Sequence, residues 1–230
     1  MKYIQSIEAA YDACIERFRV RSTATGVHTT LSTDEFRTLP NQARQEIKVQ
    51  GSRFLCTALP TSTKEMAEEF VARIRKEFFN ATHHCFAYRL GTAGDRFRYN
   101  DDGEPGGTGG KPILAAIDKF GMTDVVVVVT RYFGGTKLGV GGLARAYGEA
   151  AEKTLGSIKP VTRYILSPLL TSFPHTHISN VMHVVSKLGA RIVDTIYDEE
   201  VHLKLEIRAS LLEDLRSALV NQTSGNIRFT

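Results

Sequence analysis

The sequence is short of the features that mark several protein classes. Its 230 residues include only three cysteines, Cys14, Cys56 and Cys85. They are odd in number and lack metal-ligand spacing, which argues against a disulfide framework and against a zinc finger. No apolar run approaches the ~20 residues of a membrane-spanning helix. The N-terminus has no apolar signal core, so a reducing cytoplasm is the expected location and no membrane contact is expected. Excess charge is scarce too: 29 Lys and Arg against 25 Asp and Glu leave a formal net charge of +4. A dedicated nucleic-acid binder usually carries a denser basic patch.

Glycine, in contrast, is concentrated. Ten of the 19 glycines fall in two loops within residues 100–147, at Gly103, Gly106, Gly107, Gly109, Gly110, Gly134, Gly135, Gly139, Gly141 and Gly142. In the first loop Asp101, Asp102 and Glu104 precede the glycines. Lys111-Pro112 then opens a helical pattern with Ile113, Leu114, Ile117 and Phe120 on one face and Gly121 as its stop. The valines at 125–129 form a continuous apolar run, the pattern of a strand covered on both faces. Arg131-Tyr132-Phe133 emerges where that strand ends. The second loop, FGGTKLGVGG, leads into a helix with Leu143, Ala146, Tyr147 and Ala150 on one face.

This arrangement favours an anion. Helix N-termini present free amides and a partial positive charge, and Lys111, Arg131, Lys137 and Arg145 add full ones. Phosphate is the natural guest. The competing reading is that the glycines only make tight turns and close packing while the carboxylates form a solvated rim. Standard nucleotide motifs are absent. A Walker-type loop would need a glycine where Pro105 stands and Ser or Thr in place of Pro112. Gly139-Val140-Gly141-Gly142-Leu143-Ala144 fits GxGxxA, but it lies well beyond the strand end and has no acidic residue at the expected distance of about 20.

The DDGEPGGTGGKP stretch, RYFGGTKLGVGGL and the earlier His83-His84-Cys85 resemble the IMPACT family, also called the YigZ or UPF0029 family. The resemblance covers about residues 43 to 222. It implies an α+β protein of two domains, a ribosomal protein S5 domain 2-like fold followed by a ferredoxin-like domain similar to the last domain of elongation factor G. It also implies a link to translation, since eukaryotic relatives regulate initiation. The organisation expected is an extension at 1–42, a first domain at 43–158 and a second at 159–230. Typical members start near residue 43, so the extension is a departure.

Charge placement agrees with an acidic partner for the first domain. Lys and Arg number 5, 17 and 7 in residues 1–42, 43–159 and 160–230, against 5, 13 and 7 Asp and Glu, so the whole excess is in the middle. In the extension, Ile4, Ile7, Tyr11, Cys14 or Ile15, and Phe18 recur at helical spacing, and the threonine-rich residues 19–38 read as a linker. In the first domain, 43–50 and 53–59 read as a hairpin turning at Gly51-Ser52. A capping box from Ser62 to Glu65 opens a helix whose Met66, Phe70, Ile74 and Phe78 form a core stripe. Strands follow at 83–90 and 96–100. Alternation puts His83 and Cys85 on one face and His84 on the other, so the triplet does not chelate one metal, and its expected role is hydrogen bonding near the carboxylate loop. Arg131 is expected to bridge to Asp101, Asp102 or Glu104, which would withhold its charge from a phosphate.

The second domain reads as strand, helix, strand, strand, helix, strand, with strands near 161–171, 190–197, 201–208 and 227–229 and a second capping box from Ser210 to Glu213. That order is the ferredoxin-like split motif. Its histidines, His175, His177, His183 and His202, are scattered, and no metal or cofactor site is expected. The sheet face offers room for a protein partner.

The function expected is a translation-associated binding protein that contacts RNA or the ribosome through the glycine loops. The candidate contacts are His83, His84, Asp101, Asp102, Glu104, Lys111, Arg131, Tyr132, Gly134, Gly135, Lys137 and Arg145. The alternative is an enzyme acting on a phosphorylated small molecule, with the first loop as phosphate cradle and Asp101, Asp102 or Glu104 as base or magnesium ligand. No activated nucleophile or complete metal set supports it, so no catalytic residue is assigned. A third reading makes the motif residues a scaffold for the loops themselves.

Overall fold

The computed structural model describes residues 34–230, and the helix expected at 4–18 lies outside them. The first part of the described chain is built on a five-stranded antiparallel sheet. Its strands are β2 (Ala43–Val49), β3 (Ser52–Pro60), β4 (His83–Leu90), β5 (Arg96–Asn100) and β6 (Val125–Tyr132), in the order β2-β3-β6-β4-β5. Helix α1 (Lys64–Glu77) covers one face, and α2 (Gly110–Lys119) and α3 (Gly139–Gly156) cover the other.

The valine run explains itself in this setting. As the central strand, β6 sends Val125, Val127 and Val129 into the core under α2 and α3, and Val126 and Val128 into the core under α1. All five are completely buried. A continuous apolar run is therefore what an antiparallel strand needs when helices pack on both of its faces.

Local details shift by a residue where backbone chemistry overrides pattern. The hairpin turns at Gln50 and Gly51, both at positive φ (45° and 82°), and Ser52 already begins β3. Two consecutive positive φ values match the right-handed twist of the flanking strands. Thr63, not Ser62, caps α1, its hydroxyl accepting from the Met66 amide at 3.2 Å. Ala67, Phe70, Val71 and Ile74 form the buried stripe, whereas Met66 is exposed, contrary to the expected register.

The second sheet contains β8 (Leu166–Phe173), β9 (Arg191–Tyr197), β10 (Val201–Arg208) and β11 (Arg228–Phe229), in the order β11-β8-β10-β9. Helices α4 (Ile178–Lys187) and α5 (Leu212–Gln222) pack on one face over Val201, Leu203, Leu205 and Ile207. With its β-α-β-β-α-β order this is the ferredoxin-like arrangement, and the fold is mixed α+β with three sheets among the described residues, the third of only two strands.

The linker reading of residues 19–38 needs correction at its end. Glu35–Thr38 is a strand, β1, paired antiparallel with β7 (Val161–Tyr164), the first part of what read as one strand at 161–171. Leu39 is fully buried in the first core. Just before β1, the Asp34 carboxylate accepts from Arg208 (3.1 and 2.5 Å) and from the Ser210 hydroxyl (2.6 Å) and amide (3.2 Å). Ser210 is thereby diverted from the capping box assigned to it. It sits in a short 3-10 turn, and α5 starts without a side-chain cap.

Candidate functional site

The site assembles where β4 and β6 run side by side, with His83 opposite Arg131 in register. Sheet alternation sends Arg131 toward the helices α2 and α3, and the acidic loop 101–104 folds over it. Arg131 Nη1 donates to Glu104 Oε1 at 2.6 Å, with both side chains almost completely buried. The Tyr147 hydroxyl, from the inner face of α3, donates to the same oxygen at 2.7 Å. Burial, reinforced by the neighbouring Cys85 and Glu104, raises the Tyr147 pKa far above its ordinary value, so the phenol keeps its proton. The guanidinium lies 5.5 Å from the ring centroids of both Phe54 and Phe133. The expected bridge from Arg131 thus forms with Glu104, and its charge is spent inside the protein.

Asp101 has a different task. Its carboxylate accepts from the amides of Gly107 (2.9 Å), Gly109 (2.9 Å) and Gly110 (2.8 Å). Burial opposes the charged form, but the three amide bonds outweigh it and hold the pKa below the ordinary value. The amides at the start of α2 therefore already have an anion, supplied by the chain itself. This corrects the expectation of a first loop open to phosphate. Two of its glycines are also spatially required: a Cβ on Gly109 would lie 2.4 Å from the Cys85 sulfur, and one on Gly110 would lie 2.6 Å from the Asn100 nitrogen.

Asp102 adopts a positive φ of 44°, its Oδ2 accepts from the His84 amide at 2.7 Å, and its Oδ1 pairs with Arg75. Its carbonyl lies 2.8 Å from His83 Nδ1. A carbonyl only accepts, so Nδ1 carries the proton and Nε2, 3.8 Å from Glu104 Oε1, is the free side of the half-buried ring. His84 is buried on the opposite face, with Nε2 at 3.2 Å from the Phe78 carbonyl. Burial lowers the His84 pKa more than Phe78 and Asp102 raise it. Cys85 donates to the Asp101 carbonyl at 3.0 Å, and burial pushes its thiol up to about 12. Among the described residues no group of three His, Cys, Asp or Glu side chains is placed to hold a metal ion.

The second loop is arranged in the opposite sense. Gly134 is pressed against the β2–β3 turn, where a Cβ would sit 1.9 Å from the Gly51 carbonyl carbon, and its amide donates to Ser52 Oγ at 3.2 Å. Gly135 and Gly139, at φ 86° and 71°, have open space around them. Helix α3 then starts with no side-chain cap on its first amides. Lys137 and Arg145 are exposed and, among the described residues, make no ion pair, as is true of Lys111. Phe133 is half exposed; Tyr132 lies under Arg53 and donates to Asn80 at 3.2 Å. Packing of Gly148 on Pro112 sets the start of α2 beside the middle of α3.

Apart from Tyr132 and Gly134, which pack against Arg53 and the β2–β3 turn, the predicted residues divide into two groups. His83, His84, Asp101, Asp102, Glu104 and Arg131 form one closed network, which also recruits Arg75, Tyr147, Ser52 and Cys85. Lys111, Lys137, Arg145 and the open glycines face solvent. Helical spacing alone marks Tyr147 as a core position; a tyrosine within an otherwise apolar helix face signals a buried hydroxyl in need of a partner.

The Impact N-terminal domain family matches residues 50–155, and a domain of unknown function, DUF1949, matches residues 171–226. The IMPACT family member YvyE of Bacillus subtilis is 35% identical over 82% of this chain and 87% of its own. The IMPACT family member YigZ of Escherichia coli is 29% identical over 79% of this chain and 90% of its own. The Protein IMPACT homolog of Dictyostelium discoideum is 38% identical over a shorter stretch, 28% of this chain and 19% of its own. A crystal structure of a hypothetical protein superposes with a TM-score of 0.65 at 26% identity, covering 86% of this chain and 97% of that one.

Proposed function

The chain belongs to the IMPACT family, and from that premise we propose that it is a translation-associated binding protein that contacts RNA or the ribosome through its second glycine-rich loop. The observation that carries this reading is the contrast between the two loops. The first has its amides filled by Asp101, whereas the second begins α3 without a side-chain cap and is flanked by the exposed Lys137 and Arg145. Uncapped amides at a helix N-terminus favour an anion, and two free cations strengthen the attraction. Phosphate groups of RNA supply such an anion in series. The link to translation comes from the family resemblance, and the placement of all the excess positive charge in residues 43–159 supports the siting.

The enzymatic alternative placed a substrate phosphate in the first loop, with its carboxylates as base or metal ligands. Asp101 and Glu104 are committed to backbone amides and to Arg131, which weighs against those roles.

Co-sedimentation with ribosomes and with isolated RNA across a salt series tests the proposal. The Lys137→Glu, Arg145→Glu double variant should bind more weakly. Losing two phosphate contacts should also flatten the slope of log affinity against log salt by about 1.4 to 1.8. Unchanged affinity and slope in the variant would overturn the siting on the second loop.

A further inference from the structure

The face of β5 beside α2 carries a second cluster of exposed groups that the second glycine loop does not use. Among the described residues β5 is an edge of the five-stranded sheet, hydrogen-bonded to β4 alone. It reads Arg96-Phe97-Arg98-Tyr99-Asn100, so alternation sets both rings on one face and both arginines on the other. Phe97 pairs with Arg89 and Tyr99 with Ala87, and Ala87 belongs to the core under α2 and α3. The rings therefore stand on the face flanked by α2. Both stay open to solvent, at 54% and 43% exposure.

Helix periodicity puts Lys111, Leu114 and Asp118 on one flank of α2. Arg89 Nε donates to Asp118 at 2.7 Å, which fixes that flank against the β4–β5 hairpin. At the other end Gly110 packs on the Asn100 backbone, next to Tyr99. The ledge consequently runs from Lys111 past Tyr99 to Phe97, where the Arg89 guanidinium lies 5.3 Å from the ring centroid. Beyond Arg89 a cleft of about 340 Å³ continues toward Arg37, which is exposed and makes no ion pair among the described residues.

Two half-exposed rings on a sheet edge, with a cation at each end, match a ligand that has flat faces and regularly spaced negative charge. Ring-bearing residues two apart on a strand are about 6.6 to 6.8 Å apart, too far for neighbouring bases of a stacked helix at ~3.4 Å. An extended single strand fits that spacing, and base stacking on sheet aromatics is tolerant of sequence. We propose that this ledge binds single-stranded RNA, with two successive bases stacked on Phe97 and Tyr99 and the phosphates running between Lys111 and Arg37. The inference rests on the RNA-binding reading above and adds a surface, a strand state and a stacking mode to it.

The test is fluorescence anisotropy of a 5′-labelled ten-residue oligouridine with the full chain, in parallel with the matching oligothymidine and an RNA duplex. Phe97→Ala, Tyr99→Ala should bind oligouridine about tenfold more weakly or worse, with its salt slope unchanged, because stacking is not a counterion effect. The Phe97→Tyr, Tyr99→Phe exchange should retain binding. Lys111→Glu, which leaves both rings in place, should weaken binding and flatten the slope, and it covers the case in which the double alanine variant fails to fold.

The ledge is overturned if oligouridine binds the parent but ring removal changes affinity less than twofold, or if the duplex competes as well as oligouridine; oligothymidine, which offers the same flat faces and phosphates, should lose binding in the ring variant as well. Loss of binding in Lys137→Glu, Arg145→Glu with none in the ring variant would leave the loop reading standing and remove this one. A parent that binds no RNA at any salt removes both. A parent that meets the ribosome only through protein cross-links at β5 makes the edge a strand-docking site and likewise overturns the proposal.

Discussion

Arg131 looks in sequence like a phosphate ligand, a cation at a strand end beside two glycine loops. In the fold it is a structural ion, held by Glu104 and set against two rings. Removing one member of a buried pair leaves the other charge stranded, so Arg131→Met should destabilise the protein by about 3–5 kcal/mol. Replacing the group as a whole, with Glu104→Leu and Tyr147→Phe added, should restore most of that stability, because no buried charge or hydroxyl is then left alone. Urea unfolding midpoints read both effects, and a single variant as stable as the parent would show the pair to be dispensable. The sequence allowed the bridge to be anticipated but left three carboxylates as candidates. The choice depends on loop path: Asp101 turns toward the α2 amides, Asp102 toward Arg75 and the His84 amide, and only Glu104 reaches the buried side. Backbone direction over four residues with positive φ at Asp102 and Gly103 is not encoded in any local periodicity.

At the level of elements, long periodic segments were legible and short ones were not. The valine strand, α1 and the alternating β10 announce themselves because burial on one or both faces imposes a pattern over eight or more residues. The four-residue β1, Glu-Phe-Arg-Thr, has no such pattern, and its partner β7 lies on the far side of the first sheet in sequence. Besides its ladder with β7, β1 is clamped at its start by Asp34. Hydrogen bonds from Arg208 and then Ser210 depress its carboxyl pKa well below the ordinary 3.8. The stabilisation is therefore fully present above that ordinary value and is lost as the pH falls below it toward the depressed folded value. Hydrogen exchange should show the Ile165 amide, which donates to the Asp34 carbonyl, losing protection in acid before the amides of β6 do. Asp34→Asn should produce the same early loss at neutral pH. Simultaneous loss at Ile165 and in β6 would mean that β1 has no separate opening.

Across the whole molecule, the first core is closed to chemistry as well as to water. Cys56 and Cys85 are both completely buried within it, and burial pushes each thiol up to about 12. A thiolate is the reactive form, so in a Cys14→Ser background neither should react with a disulfide reagent while the protein is folded. Their labelling rate should follow global unfolding and rise in step with denaturant. Rapid reaction of one equivalent in native buffer would contradict this. Charge shows the same separation of inside from outside: the buried Arg131–Glu104 pair balances itself, and the net positive excess of residues 43–159 is left to surface groups such as Lys137 and Arg145.

The strand that the sequence concealed also sets an order of events in time. Asp34 is separated by 174 residues from Arg208, whose side chain it holds. At a synthesis rate of ~5–20 residues per second, Asp34 is made on the order of ten seconds or more before that partner exists. Strand β7 precedes Arg208 in the chain, so β1 can pair with β7 before Arg208 and Ser210 are there to hold Asp34. The clamp on Asp34 is then a step separate from the pairing of β1 with β7, and it waits until β10, which carries Arg208, has been made.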